Sequence, residues 1–223
     1  TNRKPYAASY EIIRQGIKDL YIYGGPAGGD VDILIGANRC KVYINCYTAN
    51  SGYSNVCRRF RQFIEDGRLL FEDYSMDVNT IMFHGAALGF PFVPVKHMLG
   101  SDLVEKWGIS EEERAKHEKL PNKKLIVTQN PFNPNETICL VPTPQLDVAI
   151  IHAQKATIDG TVRIEGSLLG DLDIALAAKH CIVTCEEIVE DEEMMRESYL
   201  NNIPCFKADA VVHAPFGAHP SQT

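Results

Sequence analysis

Two short polar segments carry the residue types best suited to binding an anion or an acyl group. The first is a glycine-rich turn at residues 24–30 (GGPAGGD), which follows a β-rich run at residues 20–23. Glycines let the backbone and its amide groups come close to a ligand. No Gly-Lys-Ser/Thr follows, and the glycine spacing differs from the dinucleotide fingerprint. Two interpretations stay open: a structural turn at a strand end, or a ligand-binding edge of a parallel sheet.

The second segment is residues 45–52 (NCYTANSG), between a predicted strand and a predicted helix. Hydroxyl and amide side chains directly after an apolar strand are expected at the carboxyl edge of a sheet. Asn50 or Ser51 would also suit the N-cap of the following helix. Both interpretations can hold together, because a helix N-terminus with free amides attracts a carboxylate substrate.

The charged clusters have simpler structural explanations. Arg58, Arg61 and Glu65 share one helical face, which predicts a solvated and internally paired surface. The acidic pairs and runs at 186–187 and 191–193 are expected to begin helices, where carboxylates complement the helix dipole. The seven histidines show no metal-ligand spacing, and no Ser–His–Asp arrangement is recognisable. The residues by themselves therefore indicate a ligand-binding edge without a nucleophile.

Alternating helix and strand patterns must position these segments. Apolar side chains recur at helical spacing in residues 6–17, and short strand-like runs follow at 20–23, 41–46 and 69–71. Further helical patterns lie at residues 32–35, 56–64 and 78–88. This alternation suits βαβ crossovers and predicts an α/β fold, with an open, mostly parallel twisted sheet and helices on both faces.

Residues 97–145 interrupt that alternation. Ser110 and Glu113 form a capping box, and five prolines beyond Leu120 indicate many turns. We therefore expect a Pro-rich excursion within one domain spanning residues 1–223. Regular patterns resume afterwards, at residues 148–151, 174–178, 182–185 and 210–214.

Composition excludes several functional classes. The formal net charge of −7 argues against general binding to nucleic acid or to anionic membranes, which requires a positive field. No apolar run approaches the ~20 residues that span a bilayer. The seven cysteines lack zinc-type pairing and lie within or beside apolar runs, so we expect buried, reduced thiols, no metal site, and a cytoplasmic location.

Several motifs together resemble one family, the alpha subunits of glutaconate CoA-transferase, which are family I CoA-transferases. The most specific is the YTANSG part of the second segment, supported by the glycine-rich segment at 24–30. The resemblance extends over nearly the whole chain through residues 3–8 (RKPYAA), 148–154 (VAIIHAQ), 160–164 (GTVRI), 182–188 (IVTCEEI) and 217–222 (GAHPSQ).

The resemblance implies a two-subunit, hetero-oligomeric enzyme of amino-acid fermentation. Such an enzyme moves CoA from acetyl-CoA to glutaconate or a similar short dicarboxylic acid by a ping-pong mechanism. A glutamate on the second (beta) subunit carries CoA as a thioester between half-reactions, so no catalytic residue is expected in this chain. Coenzyme A is then a substrate, and no cofactor is implied.

The resemblance also implies which residues face the acceptor acid. Ser51 matches the family's pocket serine and is expected to hydrogen-bond the dicarboxylate, with Asn50 and Gly52 shaping the same segment. Weaker matches place three more residues in this cleft, namely Arg3, Gly25 and Gly28. The CoA phosphates are expected on the partner subunit or on a local basic cluster such as residues 58–61.

This sequence departs from the family pattern in two respects, and two alternative functions stay open. The family has a strand with a Gly-Gly-Phe loop before Arg3 and helices beyond Gln222, so we expect this chain to be a truncated alpha subunit, inactive by itself. The alternatives are a CoA-thioester hydrolase subunit of the same fold and a non-catalytic ligand-sensing domain.

Overall fold

The computed structural model of the chain describes residues 3–50 and 56–221. Its strands divide into three sheets. Their bounds are β1 (Leu20–Tyr23), β2 (Cys40–Asn45), β3 (Leu70–Asp73), β4 (Phe92–Val95), β5 (Ile126–Asn130), β6 (Asn133–Pro142), β7 (Leu146–Ala156), β8 (Val162–Arg163), β9 (Ala178–Ile188), β10 (Asn201–Ile203) and β11 (Ala210–His213).

The first sheet is parallel and has the order β1-β2-β3. Its central strand β2 is buried on both faces: Val42 and Ile44 belong to one apolar core, and Tyr43 belongs to another. This follows from the pleat, since successive side chains of a strand point to opposite faces of the sheet.

The second sheet has the order β10-β8-β7-β9-β11. The long strands β7 and β9 pair in parallel, and β11 continues in parallel beyond β9. The short strands β8 and β10 pair antiparallel on the other side. Small side chains fill the core of this sheet, for example Ala149, Ala153 and Ala175, all fully or almost fully buried.

The third sheet is antiparallel, with the order β4-β6-β5. Strands β5 and β6 lie in the predicted excursion at 97–145, where Pro131 and Phe132 alone separate them. So short a connection permits an antiparallel hairpin but no parallel crossover. The predicted α/β class is confirmed. The strands that we expected in one open sheet lie in three separate sheets.

The helices are α1 (Tyr6–Gln15), α2 (Gly29–Gly36), α3 (Arg58–Glu65), α4 (Met76–Ala87), α5 (Asp102–Glu105), α6 (Glu111–Arg114), α7 (Asp171–Ala177) and α8 (Asp191–Arg196), with short 3-10 turns at Ser198–Leu200 and Cys205–Lys207. Helices cover both faces of the first sheet. Val31 of α2 and Phe63 of α3 pack with Tyr43, whereas Val78 and Met82 of α4 join the core on the other side.

Several local predictions are confirmed by these elements. Ser110 caps α6 by accepting a hydrogen bond from the Glu113 amide at 3.2 Å. Arg61 pairs with Glu65 at 2.7 Å on the exposed face of α3. Helix α8 begins with the acidic residues 191–193, as expected. That residues 1–223 form one domain stays a prediction.

A buried ionic cluster joins the excursion to the first sheet. The Glu72 carboxylate on β3 lies 2.5 Å from the Arg114 guanidinium and 3.0 Å from the Lys124 ammonium. It also accepts hydrogen bonds from the amides of Gly108 and Ile109 at 3.0 and 3.3 Å. A buried charge requires this degree of pairing, so the cluster holds residues 108–124 against β3.

All seven cysteines are free thiols. Five are buried, as predicted, and four of these belong to the apolar cores, namely Cys40, Cys139, Cys181 and Cys185. Cys46 is half-buried and Cys205 is exposed, so the prediction is wrong for Cys205, which lies in a surface 3-10 turn. Within the described residues, no helix is long and apolar enough to cross a bilayer.

Candidate functional site

The two polar segments predicted to bind a ligand meet at the carboxyl ends of β1 and β2. We call residues 24–29 the glycine turn and residues 46–50 the second loop. They pair through a short parallel bridge between Ala27 and Thr48. The Ala27 amide donates to the Tyr47 carbonyl at 3.0 Å, and the Ala49 amide donates to the Ala27 carbonyl at 3.1 Å. The two segments therefore form one continuous backbone surface at this edge, and ligand binding there stays a prediction.

Asn45, the last residue of β2, holds the second loop. Its side chain is fully buried, and its amide oxygen accepts from the amides of Cys46 and Tyr47 at 2.6 and 3.4 Å. Its amide nitrogen donates to the Tyr47 carbonyl at 2.9 Å, to the Thr48 hydroxyl at 3.0 Å and to the Tyr43 hydroxyl. Because a buried amide must have its hydrogen bonds satisfied, this network sets the course of the loop.

The glycine turn leads directly into helix α2, whose N-cap is Gly28. A Cβ on Gly28 would lie 2.5 Å from the Lys4 ammonium, 2.6 Å from the Ala49 carbonyl and 3.0 Å from the Asn50 amide oxygen. Real Cβ atoms do not approach so closely, so no larger residue fits here without movement. Gly28 and Asn50, two of the residues that the resemblance places in the acid pocket, are thus neighbours, and their role in binding stays a prediction.

Lys4 and Tyr6 complete this edge, and sequence reasoning did not assign them. The Lys4 ammonium is buried and lies 3.3 Å from Asp30, which also accepts from the Gly28 amide at 3.2 Å. The Tyr6 hydroxyl lies against Gly29. Burial, and then the charge of Asp30, raises the pKa of Tyr6 to about 12, so its hydroxyl keeps its proton. The sequence feature that could have identified Lys4 and Tyr6 is their position beside Arg3 in the RKPYAA motif.

The other predicted residues fall in different places. Ser51 and Gly52 lie outside the described residues. A Cβ on Gly25 would meet no atom within 4 Å, so this glycine is open on its outer side. Arg3 pairs with Asp171 of α7 at 2.8 Å and donates to the Ser167 carbonyl at 2.8 Å. Among the described residues, none of its hydrogen bonds goes to the glycine turn.

One prediction about the second loop is wrong. The N-cap of α3 is Cys57, not Asn50 or Ser51, because α3 begins at Arg58. The helix N-terminus at this edge is that of α2, which the glycine turn supplies. The helix start that we expected beside the second loop is therefore the start of α2, which follows the glycine turn.

A second prediction, about Glu186 and Glu187, is also wrong. They lie on strand β9 and do not begin a helix. Glu186 instead lies 2.9 Å from the Nε2 atom of His152, a buried side chain on the neighbouring strand β7. The long apolar run before them extended the strand past its predicted end at Cys185. In the part of the chain that the structure describes, no group of three His, Cys, Asp or Glu side chains forms a metal site.

The arrangement suits the binding of an acid better than nucleophilic attack. The Lys4 ammonium and the Gly28 amide contact the Asp30 carboxylate. The following amides of α2 and the Asn50 side chain are groups that stabilise a second carboxylate at a sheet edge. The thiols of this region are poor nucleophiles, because burial raises the pKa of Cys46 to about 11 and that of Cys57 to about 12. These features match a binding half-site.

Comparison with known proteins agrees with this geometry. The family model described as coenzyme A transferase matches residues 1–214. The alpha subunit of glutaconate CoA-transferase from Acidaminococcus fermentans is 60% identical over 222 residues, which cover 100% of this chain and 69% of that protein. The corresponding subunit of 3-oxoadipate CoA-transferase from Pseudomonas knackmussii is 36% identical, over 99% of this chain and 73% of that protein.

The fold agrees as well. The crystal structure of glutaconate coenzyme A-transferase from Acidaminococcus fermentans superposes with a TM-score of 0.97, over 100% of this chain and 70% of that chain. The matches in sequence and in structure therefore extend over the two polar segments and all three sheets. The chain belongs to the coenzyme A transferase family.

Proposed function

We propose that this chain is the alpha subunit of a two-subunit CoA-transferase that moves CoA from acetyl-CoA to glutaconate or a similar short dicarboxylic acid. The observation that carries this proposal is the 60% identity to the alpha subunit of a glutaconate CoA-transferase over the whole chain. The edge formed by the glycine turn and the second loop, which we call the acid-binding edge, supports it, since the start of helix α2 and the Asn50 side chain lie there.

In the proposed reaction, the carboxylate of a glutamate on the second subunit performs the attack on the thioester carbonyl of acetyl-CoA. The C–S bond breaks, the CoA thiolate leaves, and a mixed anhydride forms. The thiolate then attacks the glutamyl carbonyl, releasing acetate and leaving a glutamyl-CoA thioester. The acceptor dicarboxylate reverses these steps with its own carboxylate and departs as its CoA thioester. Coenzyme A is a substrate throughout, and the proposal needs no cofactor.

This chain would bind the acceptor acid while the partner supplies the nucleophile. A dicarboxylate has one carboxylate to react and a second to be held. We assign the second to the acid-binding edge, where Ser51 and Asn50 donate hydrogen bonds and the open side of Gly25 admits the ligand. Gly28 allows Lys4 and the second loop to pack closely at this edge. Lys4 brings a buried ammonium to this edge, where it also pairs with Asp30 at 3.3 Å. Arg3 would lie behind the edge, paired with Asp171.

The reducing cytoplasm is the location we propose, because all seven cysteines are free thiols. Purification of the full-length protein together with its candidate partner tests the proposal. We expect CoA to pass from acetyl-CoA to glutaconate with release of acetate. Net hydrolysis of the thioester would instead support the hydrolase alternative, and ligand binding without turnover would support a sensing domain.

A further inference from the structure

A buried histidine of the second sheet is linked to the C-terminal part of the described chain. The His152 side chain on β7 is fully buried, with its Nδ1 atom 2.8 Å from the Thr184 hydroxyl and its Nε2 atom 2.9 Å from Glu186. A carboxylate only accepts hydrogen bonds, so the proton lies on Nε2 and the Thr184 hydroxyl donates to Nδ1. Glu186 thereby fixes the tautomer of His152.

The other carboxylate oxygen of Glu186 holds residues 214–221, which we call the C-terminal strap. It accepts a hydrogen bond from the Phe216 amide at 2.5 Å. The next residue, Gly217, packs directly on the imidazole, since a Cβ there would lie 2.9 Å from the Cε1 atom of His152. Glu186 and His152 therefore form the surface on which the strap rests.

The strap in turn holds the N-terminal residues that complete the acid-binding edge. The Gly217 carbonyl accepts from the Ala7 amide at 2.9 Å, which satisfies an orphan donor in the first turn of α1. The Ser221 hydroxyl accepts from the Lys4 amide at 3.2 Å and donates to the Ala218 carbonyl at 2.7 Å. Lys4 thus reaches the edge from a backbone that the strap anchors.

We propose that Glu186 is a positioning residue of the coenzyme A transferase: through the C-terminal strap it holds residues 4–7 against the glycine turn and so shapes the acid-binding edge. The inference rests on the proposed function for its effect on the acceptor acid. Its structural part stands on the hydrogen bonds alone. The Glu186 carboxylate bonds His152 and the Phe216 amide, so its effect reaches the glycine turn through the strap.

The hydrogen-bond pattern predicts an unusual rescue. In Glu186→Gln, the new amide can accept from the Phe216 amide and donate to His152 if the imidazole proton moves to Nδ1. The Nδ1–H group then donates to the Thr184 oxygen. The Thr184 hydroxyl can donate in turn to the Ile151 carbonyl, which lies 3.5 Å away. In Glu186→Ala, the side-chain acceptor for the Phe216 amide is removed. Glutamine is therefore expected to preserve the strap. Alanine is expected to loosen it beyond Ala214, whose amide still donates to the Cys185 carbonyl at 2.8 Å.

The experiment compares Glu186→Ala, Glu186→Gln and the control Glu187→Ala, each in the two-subunit enzyme. Glu187 is the exposed neighbour on the same strand. Ping-pong kinetics give kcat/KM separately for the acceptor acid and for acetyl-CoA. Loss of one or two hydrogen bonds to a charged group predicts that Glu186→Ala lowers kcat/KM for glutaconate about tenfold or more, while kcat/KM for acetyl-CoA stays within about twofold. Glu186→Gln should recover most of the loss.

Hydrogen exchange of the Lys4 and Ala7 amides gives a readout that does not depend on activity. We expect faster exchange in Glu186→Ala and wild-type exchange in Glu187→Ala. Unchanged exchange, or an equal loss of kcat/KM for both substrates, would overturn the proposal. If the wild-type enzyme fails to transfer CoA to a dicarboxylate, the proposed function is wrong, and the exchange data still decide the positioning role.

A second variant covers the case in which Glu186→Ala fails to assemble. Ser221→Ala removes the two hydrogen bonds of the Ser221 hydroxyl, to the Lys4 amide and to the Ala218 carbonyl, and leaves the buried His152 site intact. Loss of the neutral hydrogen bond to the Lys4 amide predicts a decrease of about two- to fivefold in kcat/KM for glutaconate alone. Wild-type kinetics together with wild-type exchange at Lys4 would then overturn the proposal.

Discussion

The Glu72 carboxylate and the Arg114 guanidinium lie 2.5 Å apart with both side chains buried, which ties a predicted surface excursion to the first sheet. Lys124 completes the cluster from the far end of the same segment. The excursion is therefore anchored by charge as well as by apolar packing.

Replacement of Glu72 by glutamine tests this anchor. The variant removes the carboxylate that pairs with the buried Arg114 and leaves Lys124 only the more distant Asp73 carboxylate, at 3.9 Å. Removal of one partner of a buried ion pair typically costs about 3–5 kcal/mol of folding free energy. We expect a large decrease in the thermal midpoint of the assembled enzyme. Glu65→Gln, which breaks the exposed pair with Arg61, serves as the control and should leave the midpoint almost unchanged, because water screens an exposed ion pair. Equal midpoints for the two variants would contradict the assignment.

Replacement of Gly28 by alanine should damage the acid-binding edge. The added Cβ would displace the Lys4 ammonium or the Ala49 carbonyl, which lie 2.5 and 2.6 Å from its position. We expect kcat/KM for the acceptor acid to fall about tenfold or more, the effect of a small misplacement near a reacting group. Gly170→Ala is the control, because its Cβ meets no atom closer than 3.6 Å. If Gly28→Ala has the kinetics of Gly170→Ala, the close packing at this edge is irrelevant to acid binding.

Ser51 is the residue that family resemblance places in the acid pocket. In the two-subunit enzyme, Ser51→Ala should raise the KM for the acceptor acid, lower kcat, or do both. A hydrogen bond to a charged group contributes about 1.5–3 kcal/mol, which corresponds to roughly 10- to 100-fold in kcat/KM. Ser51→Thr keeps a hydroxyl and should lose less. Unchanged kinetics in Ser51→Ala would remove this residue from the pocket.

His152 predicts a pH dependence of stability. Burial lowers the pKa of His152, and the nearby charge of Arg3 lowers it further, against the opposing effect of Glu186. The unfolded chain therefore binds a proton at a higher pH than the folded chain does. Stability from the neutral imidazole is present above an unfolded pKa of about 6.5 and is lost as the pH falls below it.

The measurement is the decrease in thermal midpoint between about pH 7.5 and pH 5.5, a window that brackets the unfolded histidine pKa. We expect a smaller decrease in His152→Gln than in the wild-type enzyme. His180→Gln, which replaces an exposed histidine, should keep the wild-type slope. A larger decrease of the thermal midpoint in His152→Gln than in the wild-type enzyme would contradict this. It would show that protonation of the buried imidazole does not cause the loss of stability at low pH.

Local patterns predicted most of the elements because they depend on neighbouring residues. Short apolar runs predicted strands within β2 and β9, and the Ser110 capping box has the expected hydrogen bond. Prediction failed at element ends. Asn50 has the chemistry of an N-cap, yet α3 begins eight residues later, since capping preference does not specify which helix is capped.

The sequence by itself determined the α/β class, the two polar segments at the strand ends and the family, because these depend on spacing and residue type along the chain. Tertiary structure alone decided that the strands form three sheets, that Lys4 and Tyr6 stand against the glycine turn, and that Glu186 supports the strap. Each of these contacts joins residues far apart in sequence. Their partners are selected by packing and by the need to satisfy buried polar groups, which no local pattern records.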